Sequence, residues 1–125
     1  MISLVMDTSN SYLAVGLFQD NMCLEAFQEK GSRRQSEKAI PTLKEVLDRH
    51  HIALKDVNEM IITSGPGSYT GVRVAMTIAK TLAAVSDVRI KSVSSLAAYA
   101  GMNQAFSVID ARGHKVFVGV YENGL

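Results

Sequence analysis

The sequence predicts an α/β fold built on a mixed sheet, and three observations support this fold class. The first 28 residues contain three strand-like runs separated by polar turns. After them, helix-periodic segments alternate with short apolar runs, and the chain ends in a hairpin-like segment. With 125 residues, 47% of them apolar, the chain is long enough to bury one core. The predicted order is therefore β β β α β α β α, followed by β β.

The first three strands follow from apolar runs and from the turn residues between them. Residues 2–6 end at a turn-forming cluster, and residues 12–18 and 22–28 are joined by three polar residues. The second and third strands are therefore predicted to form an antiparallel hairpin. Cys23, in the third strand, has no basic neighbour in sequence and is more typical of a small core residue than of a nucleophile.

Apolar side chains at helical spacing predict two long helices. The first covers 36–50, with Ser36 as its N-cap and with Pro41 about one turn inside, where a kink or a loosened turn is expected. The second covers 72–84 and is rich in alanine, so both of its faces are expected to be packed. The apolar run 60–63 between them is typical of a strand covered on both faces.

The rest of the chain predicts a strand over 88–93, a short helix from Ser94 or Ser95 to residue 100, and a hairpin over 105–121. Three consecutive strands followed by alternating helices and strands give the element order of a ribonuclease-H-like layer with helices on its faces.

Composition argues against several classes of function. The 13 Lys and Arg against 12 Asp and Glu give a net charge of +1, which provides no electrostatic footprint for nucleic acid. No apolar run approaches the ~20 residues of a membrane helix, so we expect a soluble protein. The N-terminus lacks the basic segment of an export signal, and a single cysteine fits a reducing cytoplasm.

The most specific local motif is a glycine-rich loop between a strand and a helix. It reads Gly65, Pro66, Gly67, Ser68, Tyr69, Thr70, Gly71. Backbone amides at a helix start can hold an anion. However, no glycine pair is followed by the lysine of a Walker loop, and Thr70 occupies the place of the third glycine in a dinucleotide fingerprint. The spacing therefore favours a structural turn over ligand binding.

A second candidate site is the polar cluster Asp7, Thr8 and Ser9, where the first strand meets a turn. A carboxylate and hydroxyls at a strand end can hold a metal or a phosphate, but the same residue types also satisfy their own turns. A two-metal nuclease would need more carboxylates at strand ends, and the strand 60–63 leads into Ser64 and Gly65 with no acid. No His-x-x-His or His-x-x-x-His pair supports a zinc site.

Three stretches together resemble the TsaB (YeaZ) family. They are MDTS at 6–9, GPGSYTGVR at 65–73, and VSSLAAYA at 93–100 leading to VIDARGHKVFVGVY at 108–121. The nine-residue block from Gly65 to Arg73 is specific to this family, and the other two stretches occur in the order that the family has. The family signature loops therefore fall on residues 7–9 and on residues 65–71 together with Arg73.

The resemblance also implies a domain organisation. The family belongs to the superfamily of actin, hexokinase and chaperone ATPases, whose members contain two ribonuclease-H-like domains. Residues 1–103 then correspond to the first domain, and 104–125 to the opening hairpin of an incomplete second domain. An actin-type phosphate loop would place glycine where Ser9 stands, which is a departure from the pattern.

The function implied by the resemblance is that of a scaffold without catalytic residues, metal or cofactor. Such a subunit supports the catalytic paralogue TsaD, with the ATPase TsaE, in forming threonylcarbamoyladenosine (t6A) on transfer RNA, which it contacts only through the complex. TsaD carries a His-x-x-x-His metal site on its first long helix, whereas residues 33–40 contain no histidine here. Older names link the family to glycoproteases, but this sequence provides no protease chemistry.

In this family the first-domain helices pair with those of TsaD or of a second copy in a four-helix bundle, so a homodimer is expected in isolation. The candidate interface residues are Ile40, Leu43, Leu47, Val72, Ala75, Met76, Ala79 and Ala83. Ala79→Arg is expected to abolish pairing without unfolding the chain. Two alternatives remain: a nucleotide-hydrolysing enzyme that uses residues 7–9 and 65–71, and a homodimeric folding unit with no further function.

Overall fold

The computed structural model describes residues 1–9, 12–30, 35–96, 105–112 and 115–121, the last two segments by their backbone. The elements in chain order are β1 (Ile2–Asp7), β2 (Tyr12–Gln19), β3 (Met22–Lys30), α1 (Gln35–Arg49), a 3-10 turn (Leu54–Asp56), β4 (Glu59–Thr63), α2 (Tyr69–Val85), β5 (Arg89–Val93), β6 (Ala105–Arg112) and β7 (Lys115–Tyr121).

Five of the strands form a mixed sheet in the order β3-β2-β1-β4-β5. β1, β2 and β3 are antiparallel to one another, whereas β4 and β5 run parallel to β1. β6 and β7 form a separate two-stranded antiparallel sheet. The predicted α/β class with a mixed sheet is therefore confirmed.

The core lies between the sheet and its two helices. Leu4 on β1 is paired with Leu17 on β2 and with Met60 on β4, and all three side chains are fully buried. Because side chains two residues apart share one face of a sheet, the neighbouring apolar residues of these strands point the same way. The helices contribute Ala39, Leu43, Val46, Leu47, Ala75, Ile78 and Ala79 to this core.

Helix α1 begins at Gln35, so the prediction of Ser36 as its N-cap is wrong. The backbone is already helical at the residue before Ser36, which places Ser36 inside the first turn. Pro41 lies within the helix and at its exposed surface. Because proline has no amide hydrogen, the carbonyl of Glu37 lacks its usual donor four residues later.

Helix α2 begins three residues earlier than the predicted residue 72, at Tyr69. Ser68 is its N-cap, and the Ser68 hydroxyl accepts a hydrogen bond of 3.2 Å from the amide of Gly71. The sequence pattern places the start of α2 too late because the capping serine lies inside the glycine-rich motif. Within the chain the helix buries one side, through Gly71, Ala75, Ile78 and Ala79. Packing of its other face stays a prediction that concerns a second molecule.

Two further expectations concern Cys23 and the predicted third helix. Cys23 is exposed, so its prediction as a core residue is wrong; β3 is an edge strand, and one of its faces is largely open to solvent. Most of the predicted third helix, residues 97–100, lies outside the described residues. Across the part of the chain that the structure describes, no helix has the length and apolar character needed to cross a membrane.

Candidate functional site

The parallel strands β1, β4 and β5 end at the same edge of the sheet, which is where ligands bind in many α/β proteins. Residues 7–9, 63–71 and 95 come together there, and we call this group the strand-end junction. The two signature loops that the sequence singled out are therefore in direct contact, although more than 50 residues separate them in sequence.

A network of hydroxyl groups surrounds the carboxylate of Asp7. Its Oδ1 atom accepts hydrogen bonds from the Ser9 amide at 2.9 Å, from the Ser9 hydroxyl at 2.6 Å and from the Thr63 hydroxyl at 2.6 Å. The Ser95 hydroxyl donates to the Ser9 hydroxyl at 3.0 Å. Thr8, Ser9 and Ser95 are essentially fully buried. The polar side chains of the junction thus bond mainly to one another.

The backbone of the glycine-rich loop is attached to the end of β1. The Ser68 amide donates to the Ser9 carbonyl at 2.7 Å, and the Thr8 hydroxyl donates to the Gly71 carbonyl at 2.5 Å. The Ser95 amide donates to the Gly65 carbonyl at 2.9 Å. These bonds fix the first turn of α2 against the central strand of the sheet.

Two glycines of the loop are required by close backbone contact. A Cβ atom at Gly67 would lie 2.2 Å from the Ser9 carbonyl oxygen, and one at Gly71 would lie 1.9 Å from the Thr8 carbonyl oxygen. At Gly65 the φ angle is +99°, a conformation that disfavours other residues. The glycines thus admit the protein's own backbone, in agreement with the structural turn that their spacing favours.

The strand-end junction has one carboxylate, Asp7, and within the described ranges no three His, Cys, Asp or Glu side chains are grouped to hold a metal ion. The buried hydroxyl groups of Thr8, Ser9 and Ser95 could polarise a bound group only after giving up internal hydrogen bonds. The arrangement is therefore more typical of a rigid structural connection between β1 and α2 than of a ligand pocket.

The outer surface of the two helices has a different character. A cavity of about 390 Å³ lies beside the first half of α2, and a second one of about 240 Å³ lies between α1, α2 and the 3-10 turn. Ile40 and Ile78 line both cavities. We call these two neighbouring cavities together the α1–α2 groove.

Large side chains are exposed at the rim of the α1–α2 groove. Ile40 is 57% exposed and Tyr69 is 75% exposed. The Arg73 guanidinium lies over the Tyr69 ring at 5.4 Å from its centroid, and Arg73 Nη1 donates to the Tyr69 hydroxyl at 3.3 Å. Exposed aromatic and arginine side chains beside an apolar depression are typical of protein-protein contact surfaces.

The structure separates the eight candidate interface residues into two groups. Leu43, Leu47, Ala75 and Ala79 are buried in the chain's own core, because they face the sheet. Ala75 and Ala79 are not accessible to a partner in this conformation, whereas Leu43 and Leu47 also line the smaller cavity of the α1–α2 groove. Because Ala79 is fully buried, Ala79→Arg is expected to disturb the fold, in contrast to the expectation from the sequence. Ile40 is exposed, and the remaining three are half-buried: Val72, Met76 and Ala83.

An ion-pair cluster that the sequence analysis missed joins β3 to the end of α1. Arg49 makes two hydrogen bonds to the Glu25 carboxylate, and His50 Nε2 lies 2.9 Å from Glu25 Oε1. The Arg49 guanidinium, with a smaller contribution from His50, lowers the pKa of Glu25 to about 2, against the raising effect of partial burial. No local signal marks this cluster, since 24 residues separate Glu25 from Arg49.

A second missed residue is Glu59, which lies at the start of β4, at the edge of the sheet opposite the strand-end junction. Glu59 is only 5% exposed, and the Ser3 hydroxyl donates to its Oε1 at 2.7 Å. Lys91 Nζ lies 2.9 Å from Oε2 as an ion pair whose geometry is not that of a directed hydrogen bond. Lys91 and then Ser3 hold the pKa of Glu59 below its usual value. Glu59 therefore has a structural role.

The sheet order and the helices packed on it define the class of protein, a ribonuclease-H-like α/β domain. Among solved structures, RuvC from Thermus thermophilus in complex with a Holliday junction substrate superposes with a TM-score of 0.54. It is 14% identical over 78% of this chain and 66% of that chain, so this likeness concerns the fold alone.

Closer similarity assigns the family. YeaZ from Pseudomonas aeruginosa superposes with a TM-score of 0.88 and is 30% identical over 97% of this chain and 60% of that chain. The tRNA threonylcarbamoyladenosine biosynthesis protein TsaB of Bacillus subtilis (strain 168) is 35% identical over 100% of this chain and 58% of the relative. The same-named protein of Escherichia coli (strain K12) is 30% identical over 98% of this chain and 57% of the relative.

A family model described as "TsaD: tRNA N6-adenosine threonylcarbamoyltransferase" matches residues 28–124. The chain belongs to this family and, within it, to the TsaB (YeaZ) group. The resemblance read from the sequence is thereby confirmed. The chain spans 58% and 57% of the length of the two curated relatives it matches.

Proposed function

We propose that this chain is a non-catalytic docking subunit of the t6A machinery. It binds a TsaD-like catalytic paralogue through the outer surface of α1 and α2, and a TsaE-like ATPase joins the same assembly. Transfer RNA contacts the chain only indirectly, through the complex. The names of the relatives in Bacillus subtilis and Escherichia coli, and the match to the TsaD family model, support this assignment.

The observation that carries the proposal is the α1–α2 groove. It combines apolar cavities of about 390 and 240 Å³ with the exposed side chains of Ile40 and Tyr69. Exposed apolar surface of this kind is costly in water and is stabilised when a partner covers it. A helical partner fits such a groove, because its apolar side chains at helical spacing can occupy successive cavities.

The strand-end junction supports the non-catalytic part of the proposal. A nucleotide-hydrolysing enzyme would use Asp7, Thr8, Ser9 and the loop 65–71 to hold phosphate groups. Here Thr8 and Ser9 are buried and bonded within the chain, and their carbonyl groups take the space that glycines give to a ligand in phosphate loops. These contacts favour docking over hydrolysis.

The domain organisation belongs to the same proposal. We assign residues 1–103 to a first domain that contains the five-stranded sheet, and 104–125 to the opening hairpin of a second domain. Two observations support this division: β6 and β7 pair in a sheet of their own, and the relatives are longer than this chain.

The test compares two arginine substitutions on exposed positions of α2. Thr77 lines the groove, whereas Ala84 is exposed outside it. We expect Thr77→Arg to weaken binding to the TsaD-like paralogue by at least about tenfold, because a large charged side chain enters the apolar groove. Ala84→Arg, the matched control, should bind like the unmodified chain, and both should keep the same helical circular dichroism. Equal binding by both variants would contradict the proposal.

A calorimetric titration with ATP and magnesium addresses the enzymatic alternative. The docking proposal predicts no binding at micromolar nucleotide, since the Thr8 and Ser9 hydroxyl groups are already bonded within the chain. Micromolar binding that is lost in Asp7→Asn, together with nucleotide hydrolysis by the purified chain, would favour the ATPase-like enzyme instead.

A further inference from the structure

The charged side chains that line the α1–α2 groove are unevenly distributed along it. Arg73, in the first half of α2, lines the larger cavity together with Ile40. Asp48, in the last turn of α1, lines the smaller cavity, and so does Lys44 one turn before it. All three charged side chains are exposed. Among the described residues that line it, the groove therefore has cations along its first part and a single acid at its far end.

The helix backbones have the same polarity, because α1 and α2 begin at the same end of the groove. The strands β1, β3, β4 and β5 all run in one direction. A helix that connects two such strands runs back against them, so α1 and α2 are roughly parallel to each other. The N-terminal end of a helix carries a positive partial charge, and Arg73 lies at that end. Glu37, in the first turn of α1, is exposed but lines neither cavity.

The charges of the groove are not neutralised within the part of the chain that the structure describes. There, the ion pairs of the other side chains join Lys38 to Glu29, Lys91 to Glu59, and Arg49 and His50 to Glu25. None of them uses Arg73, Lys44 or Asp48. Arg73 is instead oriented by the Tyr69 ring and hydroxyl. Because an oriented guanidinium loses little conformational entropy on pairing, Arg73 is suited to bind a carboxylate in two-pronged geometry.

We propose that the α1–α2 groove selects its partner by charge as well as by shape. The docking helix of the TsaD-like paralogue carries an acid that pairs with Arg73 and a base that pairs with Asp48. Apolar side chains between these two cover Ile40, which is 57% exposed in the free chain. Complementary charges of this kind contribute to specificity and to the rate of association. This inference rests on the docking surface of the proposed function and adds the chemistry of the partner to it.

The length of the groove determines how far apart the two partner residues are. Ile40, which lines the larger cavity beside Arg73, is eight residues before Asp48 on α1. At the rise of an α-helix this separation is ~12 Å along the axis. On a helix that lies along the groove, the acid and the base are therefore roughly seven or eight residues apart, on one side of the helix. Lys44, between them, disfavours a base in the middle.

The first part of the test uses two charge reversals in the groove, Arg73→Glu and Asp48→Lys. Each variant is titrated against the TsaD-like paralogue by isothermal titration calorimetry at low salt. We expect each reversal to weaken binding by at least about tenfold, because it turns one ion pair of the complex into a like-charge pair. Both positions are exposed, so circular dichroism should report a folded chain.

The controls are Lys30→Glu and Asp87→Lys, two charge reversals at exposed positions that line neither cavity. They change the net charge of the chain as much as the groove variants do, but should bind the paralogue within about twofold of the unmodified chain. Added salt should weaken the unmodified complex more than the complex of Arg73→Ala, since exposed ion pairs are screened. Controls that weaken binding as much as the groove variants would contradict the inference.

The decisive measurement is rescue by a second charge reversal in the paralogue. Exposed acids on its helices are replaced one at a time by lysine, and exposed bases by glutamate. We expect one acid-to-lysine replacement to restore the binding of Arg73→Glu to within about threefold of the unmodified complex. One base-to-glutamate replacement should do the same for Asp48→Lys. The two rescuing positions should lie on one helix, roughly seven or eight residues apart. Failure of rescue, or rescue from two different helices, would overturn the inference.

This inference and the proposed function fail separately in these experiments. If both groove reversals bind the paralogue normally while Thr77→Arg weakens binding, the docking subunit stands and recognition by charge is wrong. If Thr77→Arg also binds normally, or if the unmodified chain does not bind the paralogue, the docking function itself is wrong. Reversals that alter only the self-association of the chain would assign the groove to a second copy and would also overturn the inference.

Discussion

The strand-end junction and the α1–α2 groove share helix α2, yet they differ in almost every physical respect. In the junction, Gly67 and Gly71 leave room that the carbonyl groups of Ser9 and Thr8 occupy, and buried hydroxyls bond to one another. In the groove, cavities between the helices remain open, and Ile40 and Tyr69 project into solvent. One region is filled by the chain itself, and the other is available to a second molecule.

This difference shows that a distinctive motif and a binding surface need not coincide. The glycine-rich motif is the most recognisable part of the sequence, but its bonds serve to hold α2 against β1. The groove has no recognisable motif, because exposed isoleucine, tyrosine and arginine residues are common on helices. The motif therefore identifies the family, and the groove provides the proposed docking surface.

The largest expected effect comes from filling the junction. Gly71→Ala would place a Cβ atom 1.9 Å from a backbone carbonyl oxygen, so backbone atoms must move. We expect it to destabilise the fold by about 4 kcal/mol or more, measured by urea denaturation, although alanine favours helices. Gly16→Ala is the matched control: its new Cβ meets the end of the Phe18 ring at 2.9 Å, which can rotate away. Similar losses in both variants would show that the junction is not specifically tight.

A second, smaller effect distinguishes the two groups of candidate interface residues on α1. Leu43→Ala removes a buried side chain and should cost about 3 kcal/mol of unfolding free energy. Ile40→Ala acts on an exposed residue and should change stability by less than about 0.5 kcal/mol. Binding of the TsaD-like paralogue should show the reverse order, with Ile40→Ala the weaker binder. Equal stability losses would mean that Ile40 also belongs to the core.

The smallest effect concerns the ion-pair cluster that holds α1 to β3, away from both regions. The pKa of Glu25 is lowered from 4.5 to about 2 in the folded chain, so its stabilising contribution is complete above about pH 4.5 and is lost as the pH falls toward 2. We expect the melting temperature of the unmodified chain to be higher than that of Glu25→Gln at neutral pH, and this difference in melting temperature to vanish by about pH 2. A difference that does not change with pH would contradict this role of Glu25.

Much of the fold could be predicted because its signals are local. Side-chain periods within a few residues predict the strands of the antiparallel hairpin, the apolar run of β4 and the helical spacing of apolar residues in α1. The differences also have identifiable causes. The cap of α2, Ser68, lies within the glycine motif, and Cys23 lies on an edge strand that gives it no core position.

The candidate sites were predicted less well, since burial depends on contacts that no local pattern contains. The sequence identified residues 7–9 and 65–71 but contained no sign that Thr8 bonds to Gly71, 63 residues away. It marked α2 as rich in small residues, and only packing on the sheet determines that Ala75 and Ala79 face inward while Thr77 faces the groove.

By itself, the sequence determined the order of the elements, the tight turn before α2 and the family, because each depends on residue types at fixed spacing along the chain. The tertiary structure alone decided that the strand-end junction is filled and that the α1–α2 groove is open. The physical reason is that empty space and bonded polar groups are properties of surfaces brought together from distant parts of the chain.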